Sequence, residues 1–260
     1  MVRITVCMKE VPGQAVPKRL DPVSYCLVRG VGGELNAGDY YALEAALQIR
    51  DSGEDVEIVV VSMGPESVVR SLRHALAMGA DRAVVLSDGA LAGADVVVTS
   101  AALAAVLARE APDLVLFGSQ ASDSGGGVLG SSVAEGMGVP FVSNVTRVVC
   151  GSRETVEVVR QTEMGYERIE LSRPCALSVS GSGLVPRFPS LRGMVMAKQK
   201  EVGVLSLEDV GGARSRDGVR SMTEVLGVVP APARRTPVMI EEGEGAAERI
   251  VELLVERRLL

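Results

Sequence analysis

Short and almost continuous apolar runs alternate with longer segments of helical periodicity over residues 1–145 of the chain. The apolar runs are rich in Val, Ile and Leu and lack regularly alternating polar positions. Strands of this kind are buried on both faces, which is typical of a parallel sheet covered by helices. Four such strands are predicted, at Ile4–Met8, Val56–Ser62, Ala83–Leu86 and Leu114–Phe117.

The segments between and after these strands predict helices with an apolar face. One starts at Pro65 with Glu66 in its first turn and is followed by Gly79, a combination that favours a helix start and stop. Another has Asn36 or Asp39 available to cap its start. The predicted helices are Asp39–Ser52, Pro65–Met78, Asp95–Arg109 and a shorter one that opens between Gly127 and Gly136. This alternation predicts an α/β fold with a doubly wound, mainly parallel sheet, in which ligands bind beyond the carboxyl ends of the strands.

The pattern changes after about residue 142, where short strands are joined by turns in the manner of a meander. These strands are predicted at Val142–Cys150, Thr155–Gln161, Arg168–Leu171 and Ala176–Ser180. From Leu184 to Met239 the chain has little capacity for a core of its own, and residues 246–260 predict an amphipathic helix. We therefore expect an α/β domain over residues 1–183 and an extended, partner-binding arm with a terminal helix over residues 184–260.

Composition weighs against several classes of protein. The 260 residues are 47% hydrophobic and 3% aromatic and contain no Trp, so the core must be built from Val, Leu, Ala and Met. A net charge of -6 weighs against a nucleic-acid binder with a basic surface, and a single His weighs against a His-rich metal site or a His-based triad. The four cysteines are scattered without a CxxC pair, so no metal site is predicted. Because no apolar run suits a signal peptide or a membrane span of roughly 18 residues, we expect a cytoplasmic protein.

The segment FGSQASDSGGGVLGSSVAE, residues 117–135, gives the strongest indication of ligand binding. It leaves a predicted strand, passes through Gly125, Gly126 and Gly127, and enters a predicted helix. Glycines allow backbone N–H groups to approach an anion closely, and a helix N-terminus favours a phosphate. No Gly-Lys-Ser or Gly-Lys-Thr follows, which excludes a Walker A loop. A phosphate-binding loop and a surface loop without a ligand are both open interpretations of this segment.

Three other segments point to the same edge of the predicted sheet. Cys7–Lys9 and Ser62–Gly64 each leave a predicted strand, and Asn36–Asp39 precedes a predicted helix. Taken singly they are ordinary strand ends and helix caps, but their convergence with the glycine segment predicts an adenine-nucleotide pocket. His74 lies in the middle of a predicted helix and is expected to pack rather than to act as a base. With no set of nucleophile, base and orienting group, we expect cofactor binding without acid–base catalysis.

Five segments, found in this order along the chain, carry a resemblance to a known family. They read VCMKEVP, LDPVSYCLVRGVGGELNAGDYYALEAAL, VVVSMGPESVVRSLRHALAMGADRAVVL, DLVLFGSQASDSGGG and VPRFPSLRGMVMAK. The run ALAMGADR at residues 75–82 is a highly specific signature, and PRFPSL at residues 186–191 is close to the family's Pro-Arg-Tyr-Pro-Ser-Leu. From residue 2 to about residue 200, the chain resembles the beta subunit of electron transfer flavoprotein, the FixA-like family.

The resemblance implies a Rossmann-like sheet of the adenine-nucleotide alpha-hydrolase type. It also implies a heterodimer with a larger alpha subunit, which holds or shares the electron-transferring FAD, and either AMP or a second FAD in the crevice of this chain. Members with a second FAD are electron-bifurcating, and NADH reduces the flavin of their beta subunit. Residues 21–29 look more like those of FixA and bifurcating members, which favours FAD. The implied protein is an electron carrier subunit rather than a stand-alone enzyme, with an acyl-CoA dehydrogenase-like protein or another dehydrogenase as redox partner.

By the same matching, the resemblance carries site residues over by position. The implied nucleotide-contacting positions are Cys7, Lys9, Asn36, Asp39, Met63, Gly64, Gln120, Asp123, Gly125, Gly126, Gly127, Val128, Leu129, Gly130 and Ser131. The implied partner-docking positions are Arg187, Pro189 and Leu191. Gly125 and Val128 stand where many members have Asp and Gln, and Met196 stands where recognition loops often have Lys. We therefore expect a looser or altered grip on the nucleotide and an altered choice of partner.

Two alternative interpretations compete with this one. An adenine-nucleotide-binding regulatory protein of the universal stress type would share the sheet architecture and a glycine loop that ends in Gly-Ser-Ser-like residues. The segment from Leu184 to Met239 weighs against it, because a self-contained homodimeric sensor has no use for so long a segment without a core. A structural subunit that has lost its nucleotide pocket is the other alternative, and it follows from Gly125 and Val128.

Overall fold

The computed structural model describes residues 1–29, 32–150, 154–211, 221–229 and 237–260. The chain forms two compact units, Met1–Val225 and Leu226–Leu260. Residues 212–220 and 230–236 of the expected arm lie outside the described residues.

Within the described residues, eleven strands and six α-helices form the secondary structure. The strands are β1 (Val2–Cys7), β2 (Glu10–Pro12), β3 (Gly33–Leu35), β4 (Val56–Met63), β5 (Arg82–Leu86), β6 (Leu114–Gly118), β7 (Phe141–Cys150), β8 (Thr155–Thr162), β9 (Gly165–Ser172), β10 (Cys175–Val179) and β11 (Val202–Leu205). The helices are α1 (Ala37–Asp51), α2 (Val68–Met78), α3 (Val96–Glu110), α4 (Leu129–Met137), α5 (Leu191–Ala197) and α6 (Ala246–Glu256). The predicted strands and helices of residues 1–145 are confirmed, with ends that differ by a few residues.

Nine of the described strands form one sheet in the order β11-β5-β4-β1-β6-β10-β7-β8-β9. The strands from β11 to β7 are parallel to their neighbours, and β8 and β9 complete the sheet as antiparallel strands. The predicted doubly wound, mainly parallel sheet is therefore confirmed. Outside it, β2 and β3 pair as a small antiparallel ribbon between the first strand and the first helix.

Successive side chains of the central strands enter two apolar layers, one on each face of the sheet. Val6 of β1 lies in the layer that contains Leu72 of α2 and the buried residues of α1. Cys7, the next residue, lies in the layer that contains Leu107 of α3 and Val133 of α4. The central strands have no polar face because helices cover both faces of the sheet.

The turn-joined pattern after residue 142 predicts a meander, and β7, β8 and β9 confirm it for that part of the chain. β10 departs from the meander and lies between β6 and β7, parallel to both. All five of its residues are buried. A strand that is buried along its whole length has its place inside the sheet, where both of its faces are covered.

The chain that follows residue 184 first packs on the sheet unit. Arg73 Nη1 of α2 donates hydrogen bonds to the carbonyl oxygens of Ala197 at 2.6 Å and Lys200 at 2.7 Å. A Cβ on Gly193 would lie 2.2 Å from the Ala77 carbonyl oxygen, so α5 contacts α2 through its backbone. β11 then adds a parallel strand to β5. The partner-binding role expected of residues 184–260 stays a prediction.

Every residue of α6 is at least partly exposed. No helix among the described residues combines the length and the apolar character that crossing a membrane requires.

Candidate functional site

The carboxyl ends of β1, β4 and β6 lie side by side, because β1 is placed between the other two strands. Cys7 at the end of β1 is in register with Val61 of β4 and with Phe117 of β6. The Met8 N–H group donates to the Val61 carbonyl oxygen at 2.8 Å, which holds the first residues after β1 against β4. The strand ends that the sequence assigns to one crevice therefore meet at one edge of the sheet.

Asp123 is the centre of an ion-pair cluster at this edge. Its Oδ1 accepts a hydrogen bond from Lys9 Nζ at 2.9 Å, and its Oδ2 accepts one from Arg29 Nη2 at 2.5 Å. The Asp123 side chain is 1% exposed, whereas those of Lys9 and Arg29 reach solvent. Burial alone would raise the pKa of Asp123, but the hydrogen bonds and charges of Lys9 and Arg29 hold it below its usual range. One carboxylate and two cations leave the cluster with a net positive charge, which attracts anions.

Arg29 is a member of this cluster that the sequence-based prediction of site residues does not include. It lies 94 positions from Asp123 along the chain, so no local spacing relates the two residues. Its Nη1 also donates to the Glu10 carbonyl oxygen at 3.1 Å, which attaches residues 20–29 to the crevice edge. The available signal was its place in the Leu27–Arg29 segment that resembles the family.

Asn36 and Asp39 form a buried pair beneath the cluster, with 1% and 6% of their surfaces exposed. Asn36 occupies the N-cap position of α1, yet its side chain makes no capping hydrogen bond, so the predicted capping role of that side chain is wrong. Its Nδ2 instead donates to Asp39 Oδ1 at 2.9 Å and to the Gln120 carbonyl oxygen at 3.0 Å. Asp39 Oδ2 accepts the Lys9 N–H group at 2.8 Å. The pair thus joins the end of β1 to the segment that follows β6.

Burial raises the pKa of Asp39 to about 7, even though several neighbours favour its ionised form. These neighbours are the Lys9 N–H group, the Asn36 amide, the Lys9 charge and the Gly118 N–H group. A Cβ on Gly118 would lie 2.3 Å from Asp39 Oδ1, so only glycine at this position leaves room for the carboxylate. The crevice therefore contains a carboxyl group that changes its charge near neutral pH.

The glycine loop, Gly125–Gly127, is open to solvent beside the cluster. Gly125 and Gly127 have φ values of 61° and 66°, a left-handed conformation that side chains with a Cβ rarely adopt. A Cβ on Gly125 or Gly126 would meet nothing within 4 Å, so an approaching ligand finds free space there. The backbone of this loop can therefore come close to a phosphate.

The loop leads into α4 at Leu129. Val128 at the N-cap position makes no side-chain capping hydrogen bond, while Ser131 Oγ donates to the Val128 carbonyl oxygen at 2.9 Å. A Cβ on Gly130 would lie 3.0 Å from the Phe141 ring, so Gly130 allows α4 to pack closely on β7. Among the predicted contact positions, Gly130 is thus a packing residue, and Leu129 packs against the same apolar layer.

Three further predicted positions contribute backbone and packing rather than polar side chains. The Cys7 thiol lies in an apolar layer, where burial and then the Asp39 charge raise its pKa. Met63 packs against the same layer. The Gly64 N–H group donates to the Leu86 carbonyl oxygen at 3.1 Å, which holds the first residue after β4 against the end of β5.

Residues 187–191 are the predicted docking loop, called the docking loop below, and Arg187 holds them against α1. Its Nε donates to Glu44 Oε2 at 2.9 Å, and its Nη2 donates to Glu44 Oε1 at 2.8 Å and Asp51 Oδ2 at 2.7 Å. Glu44 is buried, which opposes ionisation, but its hydrogen bonds to Arg187 hold the pKa of its carboxyl group below the usual range. The guanidinium of Arg187 thus acts within the chain, and the structure assigns it to holding the loop.

The apolar side chains of the docking loop point away from the protein. Phe188 is 94% exposed and Leu191 is 80% exposed, with Pro189 half-buried between them. Ser190 Oγ accepts the Gly193 N–H group at 3.0 Å and so caps the start of α5. The loop therefore presents two large apolar groups on a fixed backbone. Phe188 was not among the predicted docking residues, although its place in PRFPSL marks it.

Two other features that could have carried chemistry, a cavity and His74, lie away from the glycine loop or contribute to packing. A cavity of about 670 Å³ lies beside Met1, Ile49, Asp55 and Val148, near the amino ends of β1 and β4 and away from the glycine loop. His74 packs edge-on against Tyr40 with ring centroids 5.5 Å apart. In the described part of the chain, no group of three or more His, Cys, Asp or Glu side chains is placed to hold a metal ion.

Comparison with known proteins agrees with the resemblance seen in the sequence. The family model described as the electron transfer flavoprotein domain matches residues 26–210. The chain is 38% identical over 242 residues to the caffeyl-CoA reductase-Etf complex subunit CarD of Acetobacterium woodii, with 92% of each chain covered. It is 34% identical over 269 residues to the electron transfer flavoprotein subunit beta of Mycobacterium tuberculosis, with both chains covered completely. It is 37% identical over 263 residues to the subunit of the same name from Thermoanaerobacterium thermosaccharolyticum, with 98% of this chain and 97% of the relative covered.

These matches favour the electron-transfer interpretation over a regulatory protein of the universal stress type. The chain belongs to the electron transfer flavoprotein family, as one of its beta subunits.

Proposed function

We propose that this chain is the nucleotide-binding subunit of a cytoplasmic, heterodimeric electron carrier. It pairs with a larger alpha subunit, which holds the electron-transferring FAD, and keeps AMP or a second FAD in its own crevice. The observation that carries the proposal is the meeting of the Lys9–Arg29–Asp123 cluster and the open glycine loop at the carboxyl edge of the sheet. Ligands of open α/β sheets bind at that edge.

The residues at this edge fit the phosphate part of an adenine nucleotide. Lys9 and Arg29 place two positive charges around one carboxylate, so a phosphate finds an excess of positive charge there. The glycine loop offers backbone N–H groups without Cβ atoms in the way. A bound flavin would supply the redox chemistry, while the chain binds and orients it and sets its electrostatic surroundings.

The choice between AMP and a second FAD depends on the segment that carries Arg29. Arg29 reaches from residues 20–29 to Asp123 and to the Glu10 carbonyl oxygen, so this segment forms one side of the crevice. Because the same segment is more similar to FixA and bifurcating members, we favour FAD. The relative from Acetobacterium woodii is named as a subunit of a caffeyl-CoA reductase-Etf complex, which supports a role in a redox complex for this chain too.

The docking loop supplies the contact with a redox partner. Leu191 and Phe188 are the exposed apolar groups on a loop whose backbone is fixed by Arg187 and Ser190. Exposed apolar patches mark sites of protein interaction, and aromatic residues such as Phe are enriched at interfaces. We propose an acyl-CoA dehydrogenase-like partner, which delivers electrons to the flavin of the heterodimer.

A second candidate is a structural subunit whose crevice has lost its nucleotide. The observation that favours it is the pair of exposed residues Gly125 and Val128, which stand where acidic and amide side chains are common in the family. In that case the heterodimer would carry electrons through the FAD of the alpha subunit alone.

Electron delivery to the heterodimer tests the proposed function. The chain is co-expressed with its alpha subunit, and the decrease in flavin absorbance is followed after addition of a reduced acyl-CoA dehydrogenase. We expect the flavin to be reduced, and we expect Leu191→Ala to slow the transfer about tenfold or more while flavin content is unchanged. Met164→Ala is the matched control, because Met164 is a 97% exposed apolar residue at the turn between β8 and β9. Equal rates for wild type and Leu191→Ala would contradict the docking role.

A further inference from the structure

The Asn36 side chain has no donor hydrogen left for a nucleotide. Both hydrogens of its Nδ2 are engaged, one by Asp39 Oδ1 at 2.9 Å and one by the Gln120 carbonyl oxygen at 3.0 Å. Its Oδ1 accepts the Ser122 N–H group at 3.1 Å. Because Asn36 is also 1% exposed, its side-chain amide is occupied by the Asp39 carboxylate and by backbone groups, and it does not reach a ligand in the crevice.

The Asp39 carboxylate is engaged in the same way. Oδ2 accepts the Lys9 N–H group at 2.8 Å, and Oδ1 accepts the Asn36 amide. The Gly118 N–H group also hydrogen-bonds to this carboxylate. The two side chains therefore connect three parts of the crevice, namely the end of β1, the start of α1 and the segment after β6.

The backbone atoms that this pair holds belong to residues next to the ion-pair cluster. Lys9 is itself a member of the cluster, and Ser122 directly precedes Asp123. The backbone position of Lys9 and the backbone position of Asp123 are thus set by the same two side chains. In a close-packed interior a buried polar network of this kind fixes one arrangement only if all of its members are paired.

We propose that Asn36 and Asp39 are positioning residues of the crevice: through their side chains they set the spacing between Lys9 and Asp123 on which anion binding depends. This inference rests on the proposed nucleotide site and adds a regulatory property to it. The Lys9 N–H group, the Asn36 amide and the Gly118 N–H group all donate to the Asp39 carboxylate. When Asp39 is protonated, one of its oxygens carries a hydrogen that faces these donors, and the network loses an acceptor. Nucleotide binding therefore weakens when Asp39 takes up a proton.

The charged and titratable groups around Asp39 allow this protonation near neutral pH. Lys9 faces the carboxylate from the segment after β1, and its charge favours the ionised form. Cys7 on β1 and Tyr40 on α1 feel the Asp39 charge, and β6 contributes the uncharged Gly118 N–H group. Burial outweighs the favourable contacts and brings the pKa of Asp39 to about 7. Affinity is thus expected to rise with pH through this range.

The test is the affinity of the full-length chain for AMP and for FAD, measured by calorimetry from pH 5.5 to pH 8.5. Asp39→Asn keeps the shape of the side chain but cannot ionise, and it turns one acceptor into a donor. We expect it to bind about tenfold more weakly than wild type at pH 8.5 and to converge with wild type below pH 6. The phosphate of AMP has its own ionisation near pH 6, but this affects wild type and variant equally.

Asp113→Asn is the matched control, since the Asp113 carboxylate also accepts a backbone N–H group, that of Arg3 at 2.7 Å, at the opposite edge of the sheet. It should leave the affinity and its pH profile unchanged. Amide hydrogen exchange gives a second measurement that needs no ligand. Protection of the Lys9 and Ser122 N–H groups should be lower in Asp39→Asn than in wild type, after correction for intrinsic exchange rates.

Two results would overturn the positioning role: a pH profile that is the same in Asp39→Asn and wild type, or unchanged protection of both N–H groups. If wild type binds neither AMP nor FAD at any pH, the proposed nucleotide site itself fails. Hydrogen exchange then still decides whether Asn36 and Asp39 hold the backbone as inferred.

Discussion

Replacement of Arg187 by Met should loosen the attachment of the docking loop to α1 and destabilise the protein. The change removes three side-chain hydrogen bonds, two to Glu44 and one to Asp51. Glu44 keeps hydrogen bonds from Gln48 Nε2 at 3.2 Å and from the backbone N–H group of residue 187 at 3.1 Å, but its carboxylate, with a side chain 5% exposed, loses its cation. Breaking a fully buried pair costs about 3–5 kcal/mol, and because the Arg187 side chain is 35% exposed, we expect about 2 kcal/mol.

Urea unfolding at pH 7 measures this loss, and thermal unfolding should show a midpoint lower by about 4–8 °C. The double variant Glu44→Gln/Arg187→Met should regain part of the loss, because no unpaired buried carboxylate is left. Arg192→Met is the matched control, since Arg192 lies on the exposed side of the same region. An unfolding free energy of Arg187→Met within about 0.5 kcal/mol of wild type would refute the stabilising role of the Arg187 ion pairs with Glu44 and Asp51.

Three further changes test the crevice. Gly127→Val should lower the amount of bound nucleotide at least about tenfold, because φ at Gly127 is 66°. Gly53→Val, at a φ of 98° after α1, is the control and should retain the nucleotide. Equal nucleotide content in the two variants would contradict the assignment of the glycine loop to the nucleotide. Arg29→Ala should weaken nucleotide binding about tenfold and flatten its salt dependence, whereas Lys18→Ala should do neither in the same titration. The raised pKa of Asp39 contributes stability that is present below about pH 4 and is lost as the pH rises through 7. In urea unfolding, wild type should therefore lose up to about 4 kcal/mol of unfolding free energy relative to Asp39→Asn over this range. Parallel plots of unfolding free energy against pH for the two proteins would contradict the burial argument.

The central strands could be predicted from sequence because the apolar run that marks each of them is a local feature of the chain. Val56–Met63, for example, is apolar along almost its whole length, which identifies a strand covered on both faces. Some helix ends have signals that are equally local: Asp95 caps the start of α3, and Gly79 and Gly138 directly follow α2 and α4. The place of β10 in the sheet could not be predicted, because pairing between strands is decided by the whole sheet and not by the apolar run itself.

The candidate site was predicted by location more successfully than by residue role. The glycine loop and Lys9 lie at the edge where the sequence places them, since parallel strands end together. Asn36 and Asp39 have the residue types of helix caps, and only the three-dimensional contacts show that they hold the segment after β6. Arg29 pairs with a residue that is distant in the chain, and such pairs leave no periodic signal in one sequence.

The nucleotide content of the purified heterodimer tests the central claim most directly. The protein is denatured, and the released FAD and AMP are separated and counted per heterodimer. We predict either two FAD or one FAD with one AMP, since one adenine nucleotide should come from the crevice of this chain. Two FAD would assign a flavin to this crevice, and one of each would assign AMP to it. One FAD and no AMP would contradict the account, because the Lys9–Arg29–Asp123 cluster and the glycine loop would then bind no nucleotide.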